Sequence, residues 1–430
     1  MSELQERMPH ITAFPEALGT GIIVRSAQPI GTTLKCDLQS FIDEYGITLS
    51  RFRADSLVGR MATAGRGGSF DFPDWSLPLF ELYDALDSAS RGAIDPCVGE
   101  DLIRLGYGAD LTFTVERDAR EHTGSIHGRP TWRGDVERHG TTLVTHRAVH
   151  LDFGACGKGY LVDVLARRLR TIISGEWLID AGGDMAINIP DAARPVSIGL
   201  EDPADTASAI GIAHMSNGSF CASAPSRRHW GAAYKLHHLL NAIDGQPAHG
   251  VSAAWVAVPA PDTVAGRPAA TPKNGDAIEA TRSMIAVDSG SDDHDYAVTA
   301  TTAESADTVT AGPGGITATA DATEAVTTAG PADTTAAPAA SGSARSSMTD
   351  LMPDSAPGLA PDPPAPEPAC TPGITTFATC PTAVADGLAT ALFVTEPDRL
   401  AQYFSFSCAL LDAGRHAMMS EKFPGRFFVA

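Results

Sequence analysis

The chain has 430 residues, room for two or three domains at the usual size of roughly 150 residues each, and 43% of them are apolar, enough for a substantial core. A formal charge of −21 excludes the broad basic face that nucleic-acid binding needs and disfavours adhesion to an anionic membrane. An acidic protein that handles a phosphate-bearing ligand has reason to recruit a divalent cation.

The opening residues, MSELQERMPHITAFPEALG, show no charged segment followed by an apolar one and no lipid-attachment cysteine. No apolar run approaches the roughly 20 residues of a membrane span. The seven cysteines (36, 97, 156, 221, 370, 380 and 408) are scattered without a CxxC pair, which argues against a disulfide framework and a zinc site. The expectation is a soluble cytoplasmic protein without membrane insertion.

In chain order, Gly92-Ala-Ile-Asp-Pro-Cys-Val-Gly99 is a turn-rich stretch after an acidic, helix-like segment. The next informative segment, His150-Leu-Asp-Phe-Gly-Ala-Cys-Gly-Lys-Gly-Tyr160, reads as a strand ending near Asp152, a glycine turn and a helix start. The helix carries Leu161, Leu165, Leu169 and Ile172 near helical spacing, with Arg167, Arg168 and Arg170 mostly elsewhere, so it is amphipathic. WLIDAGGDMAINI reads as strand, glycine turn, strand. RPVSIGLED places Val196, Ile198 and Leu200 at period two, one buried face of a strand, and VSAAWVAV is a further strand. From about Val258 to Ile374 the composition shifts to Ala, Thr, Gly, Asp, Ser and Pro. Such sequence has few large apolar side chains to offset the entropy of ordering, so 262–374 is expected to be a disordered insertion. The 56 residues after it hold one buried helix, TAVADGLATALFV, and a closing strand, RFFVA, too little for an independent core. They are expected to complete the domain begun by 1–261. The fold class is α+β.

Several segments could carry chemistry. The glycine turn at 154–159 suits an anion at a helix N-terminus and Lys158 adds a positive charge, although such a turn is also commonly structural. Asp386 and Thr390, at i and i+4, share one helix face and offer a carboxylate and a hydroxyl to a hard cation; alternatively they cap the helix and bond back to a carbonyl. Ala181-Gly-Gly-Asp184 is explained by a hairpin turn. His237 and His238 include a possible general base, or are surface histidines. No P-loop, Rossmann glycine pattern, nucleophile elbow or HExxH occurs.

The order and spelling of these segments resemble the FAD:protein FMN transferases, the ApbE-like flavin transferase family. The resemblance runs through Ile30-Gly-Thr-Thr33, Ser50-Arg-Phe-Arg-Ala-Asp-Ser56, Ala93-Ile-Asp-Pro-Cys-Val-Gly99 and Leu151-Asp-Phe-Gly-Ala-Cys-Gly-Lys-Gly-Tyr160. It continues with Asp180-Ala-Gly-Gly-Asp184, Ser223 followed by Arg227 and Arg228, the box at His238–Gly245, and Ala385-Asp-Gly-Leu-Ala-Thr-Ala391. It implies a two-lobed α+β fold, interrupted here by the insertion, with FAD in a cleft and Mg2+ near its pyrophosphate. Carried over by position, Ile30, Phe52, Ala93, Ile94, Asp95, Asp152, Lys158 and Leu240 contact FAD. Ala155, through its backbone carbonyl, Asp386 and Thr390 hold magnesium. His238 is the implied base, with Asp184 the second choice.

The implied reaction is attack of a threonine or serine hydroxyl of an acceptor protein on the FMN-side phosphorus, with AMP leaving and a phosphoester-linked FMN remaining. A Lewis acid and an oriented nucleophile are what a stable pyrophosphate dianion requires. The chain departs from the family's pattern at Asn241-Ala-Ile-Asp-Gly245, which lacks the Asp-Pro, at Ala222-Ser-Ala224, and at Ala389. The last leaves the site one carboxylate for magnesium. The rival readings are a magnesium-dependent FAD pyrophosphatase and a non-catalytic FAD-binding protein.

Overall fold

The alternating segments assemble into one antiparallel sheet whose first eight strands lie side by side in chain order. The computed structural model describes residues 3–231, 235–260 and 377–428, together with the backbones of two short strands, Met284–Val287 and Val309–Thr310. Side by side lie β1 (His10–Phe14), β2 (Ile22–Ser26), β3 (Trp177–Asp180), β4 (Asp184–Asn188), β5 (Asn217–Ser223), β6 (Val251–Pro259), β7 (Ser407–Asp412) and β8 (Ala417–Ser420). β7 pairs with β6, Trp255 opposite Ala409, so the segments flanking the expected insertion share a sheet. Met284–Val287 pairs with β8. Apart from the two short strands, the expected disordered region 262–374 lies outside the described residues.

Period-two alternation gives the sheet two buried faces. Ile179, Ala186, Cys221, Ala254 and Val256 point into one core, and Leu178, Met185, Ile187, Phe220 and Trp255 into another. A smaller sheet covers the second face: Val196–Asp202, Asp205–Met215 and Gly425–Phe427 are antiparallel neighbours, and Val309–Thr310 adds a parallel strand beside Val196–Asp202. The expected closing strand RFFVA thus contributes Arg426 and Phe427 to it.

Four helices pack on the first core: α1 (Thr32–Leu49), α2 (Leu77–Ser90), α3 (Gly157–Arg170) and α4 (Pro381–Ala391). α3 is amphipathic as expected, burying Leu161, Leu165 and Leu169. Ile172 departs from the expectation: the helix ends at Arg170, the chain turns, and Ile172 is 60% exposed while Ile173 takes the buried position. α4 is small and apolar nearly all round, with Ala383, Ala385, Leu388 and Ala389 fully buried, as a helix wedged between α3 and the sheet must be. Its first N–H groups, which no intrahelical carbonyl can satisfy, are received by the buried carboxylate of Asp163 on α3. Thr382 N is 3.1 Å and Ala383 N 2.8 Å from it.

α3 and α4 cross at Gly159, where a Cβ would lie 2.3 Å from the carbonyl oxygen of Thr382 and 2.8 Å from Cβ of Asp386. Gly159→Ala gains about 1 kcal/mol of helix propensity, yet the backbone clash costs about 1–3 kcal/mol as overpacking. We expect a net fall in melting temperature and a displaced Asp386. A melting temperature at or above that of the wild type would mean that the helices cross with slack.

Candidate active site

The site forms where the N-terminus of α3 meets the face of α4. The first turn of α3 leaves N–H groups unpaired and its dipole favours negative charge. Asp386, on α4, meets one of these groups: its Oδ2 accepts from Gly159 N at 2.9 Å. Lys158 reaches between two carboxylates. Its Nζ donates to Asp184 Oδ2 and lies 3.3 Å from Asp386 Oδ1. Asp184 opens β4 after Gly182 (φ 72°) and Gly183 (φ 104°), a positive-φ pair that turns the chain tightly enough to aim this side chain inward.

The carboxylates are almost fully buried, 1% and 2% exposed, while Lys158 is 25% exposed. Burial and the nearby Asp184 outweigh the attraction of Lys158 and push the Asp386 carboxyl up to about 8. Two carboxylates share one ammonium, and Oδ1 of Asp184 is buried with no hydrogen-bond partner. One turn along α4, Thr390 Oγ1 donates to the carbonyl of Ala155 at 3.4 Å. The three residues expected to hold a metal are therefore together, Ala155 and Thr390 in contact and Asp386 a turn away. The described residues contain no cluster of three His, Cys, Asp or Glu able to hold a metal; the donors here are mixed, carboxylate, carbonyl and hydroxyl oxygens. That set, with an unsatisfied buried carboxylate oxygen, fits a hard divalent cation. Asp184 places a second carboxylate beside Lys158, next to the one at Asp386. In the sequence it was fully explained by a hairpin turn, and only the sheet turns it towards Lys158.

Asp152 is held by Arg51, whose Nε donates to Oδ2, and by Gly154 N at 2.6 Å; its own N donates to the carbonyl of Pro96 at 2.7 Å. The Arg51 guanidinium lies 4.1 Å from the ring centre of Phe52 and 4.8 Å from that of Tyr107. Phe52 is 42% exposed, an open aromatic face suited to a planar ring. Tyr107 also meets Phe113 and Trp230 at 6.1 and 5.5 Å. Tyr107 and Trp230 were not anticipated, because lone aromatics in unpatterned segments carry no periodic signal.

Other expected contact residues face the protein. The side chains of Ala93, Ile94, Asp95 and Leu240 are buried. The Asp95 carboxylate caps the following turn through Cys97 N at 2.7 Å, accepts from Trp132 N at 3.0 Å, and sits 3.9 Å from buried Arg129. The turn is stitched to the histidine box, Ala242 N donating to the Ala93 carbonyl at 3.0 Å. Ile30 packs half-buried against the main core, just before α1.

His238 has Nδ1 3.3 Å from the carbonyl oxygen of Arg228. A carbonyl only accepts, so Nδ1 carries the hydrogen and Nε2 the lone pair. Burial, with Arg228 and Lys158 as cations nearby, pushes its pKa down to about 3, so the imidazole is neutral near pH 7. A separate cavity of 430 Å³ is lined by Glu100, Arg104, Arg147 and His150 among others and shares no residue with this site. Its arginines are paired with Glu100, Glu116, Asp101 and Asp135.

An antiparallel sheet flanked by helices, with a lysine bridging two buried carboxylates at a helix N-terminus, defines an α+β protein with a buried, mixed-charge candidate site. The ApbE family model matches residues 18–272, more than half of the chain, and the chain belongs to the ApbE family. The chain is 28% identical over 150 residues to an FAD:protein FMN transferase of Rhodobacter capsulatus; the match covers 35% of this chain and 28% of that relative's length. Its fold is similar to that of the apbe protein of Thermotoga maritima, with a TM-score of 0.50, 22% identity and coverage of 58% of this chain and 82% of that one. Among the described residues, no helix is long and apolar enough to cross a membrane.

Proposed function

We propose that this protein transfers FMN from FAD to a threonine or serine hydroxyl of an acceptor protein, with Mg2+ held by Asp386, Thr390 and the Ala155 carbonyl and assisted by Asp184. The observation that carries the reading is the pair of buried carboxylates around Lys158, with one Asp184 oxygen unsatisfied, in a chain of the ApbE family. When bound, the cation supplies Lewis-acid stabilisation of charge on the phosphoryl oxygens. Lys158 contributes a second positive charge beside it, and Asp152 and the exposed ring of Phe52 orient the flavin half. The acceptor oxygen forms a bond to the FMN-side phosphorus, the bond from that phosphorus to the bridging oxygen breaks, and AMP leaves with that oxygen. Nε2 of His238 takes the hydroxyl proton, its basicity raised above the value near 3 of the free site when the anionic pyrophosphate offsets the charges of Arg228 and Lys158. The segments 1–261 and 375–430 act as one catalytic core across 262–374, and the setting is the cytoplasm.

Mass spectrometry of a candidate acceptor mixed with the chain, FAD and Mg2+ tests this reading. A gain of one FMN unit on the acceptor is the expected result, retained when 262–374 is deleted. Free FMN and AMP with an unmodified acceptor would identify a pyrophosphatase, and intact FAD a binding protein. Either result would overturn transfer.

A further inference from the structure

Adjacent arginines at 227 and 228 have opposite fates. The turn Pro225–Arg227 ends at Arg228, whose backbone leaves the helical region (φ −148°, ψ 88°), and successive side chains diverge. Arg227 forms a two-pronged pair with Glu201. Arg228 has no carboxylate partner among the described residues. Its guanidinium lies 5.5 Å from the ring centre of Tyr107, the ring that Arg51 approaches at 4.8 Å. Arg51 is matched by Asp152; Arg228 is not matched. Its backbone carbonyl meets Nδ1 of His238, and its charge acts on the His238 imidazole together with that of Lys158. A half-buried guanidinium with no carboxylate partner among the described residues therefore lies beside Tyr107, close enough to the His238 imidazole to act on it together with Lys158, in a chain whose net charge is −21.

We propose that Arg228 binds the pyrophosphate of the dinucleotide substrate, its planar fork donating to phosphate oxygens. This rests on the reading of FAD as substrate. A guanidinium matches phosphate by two parallel hydrogen bonds, where an ammonium offers only a point charge. Stacking on Tyr107 keeps the fork in place before the ligand arrives, lowering the entropy lost on binding.

Titrations of wild type, Arg228→Met and Arg228→Lys with FAD and with riboflavin, both followed by flavin fluorescence, test the assignment. Charge-assisted hydrogen bonds are worth roughly tenfold to a hundredfold in affinity. Arg228→Met should weaken FAD by about that factor and leave riboflavin, which has no phosphate, unchanged; Arg228→Lys should fall between. The unchanged riboflavin affinity also reports an intact fold. Unaltered FAD binding by Arg228→Met, or equal losses for FAD and riboflavin, would overturn the role of Arg228 and leave the FAD reading standing. A wild type that binds no FAD would overturn both.

Discussion

Asp386→Asn should reduce FMN transfer by roughly 10²- to 10³-fold without lowering the melting temperature. The loss follows from removing a ligand to the cation, whose stabilisation of phosphoryl charge is worth several kcal/mol, at about 1.4 kcal/mol per tenfold in rate. The unchanged or raised stability follows from the geometry. Asp386 and Asp184 share the single ammonium of Lys158 in a buried site. An amide at 386 still accepts from Gly159 N, and it replaces a carboxyl that burial and Asp184 already push up to about 8, so the metal-free site loses little charge interaction. Sites that trade stability for activity behave in this way. Transfer rates over a magnesium titration, with melting curves of both proteins, decide the matter. Full activity in the variant would remove Asp386 from the metal site, and a large loss of stability would make it a structural cap.

Lys158→Met has the opposite signature. Methionine fills a similar volume but leaves Asp184 and Asp386 buried without a cation, and breaking a buried pair from one side costs about 3–5 kcal/mol. A melting temperature lower by on the order of 10 °C is expected in the absence of metal. Because Mg2+ then becomes the main counter-charge, it should recover more stability in the variant than in the wild type, by linkage of binding to folding. Melting with EDTA and with saturating Mg2+ measures both numbers. Equal metal responses in the two proteins would show that the cation does not sit beside these carboxylates.

Much of the fold was legible because its determinants are local. Alternation at Val196, Ile198 and Leu200, helical spacing at Leu161, Leu165 and Leu169, and the uniformly small, apolar face of residues 383–391 each fix an element from a few neighbouring side chains. The end of α3 was misjudged because Ile172 satisfies the helical period, and periodicity does not register where the chain turns. α1 shows how tertiary contacts work beyond the local pattern, its Tyr45 hydroxyl donating to the Gly157 carbonyl at 2.7 Å and tying a distant helix to the start of α3.

The site divides along the same line. By itself the sequence determined the chemistry available: a carboxylate and hydroxyl one turn apart at Asp386 and Thr390, a lysine in a glycine-rich helix start, and ordered boxes resembling one family. It could not rank Asp184 above a hairpin turn, nor distinguish Arg228 from Arg227, because what separates them is burial and charge balance. Those are properties of neighbours 26 residues away for Lys158 with Asp184, 228 for Lys158 with Asp386 and 101 for Arg51 with Asp152. Only the tertiary structure set two carboxylates against one ammonium and left Arg228 without a carboxylate partner among the described residues. Charge interactions of this strength exist only after the sheet and helices have removed the water between the groups.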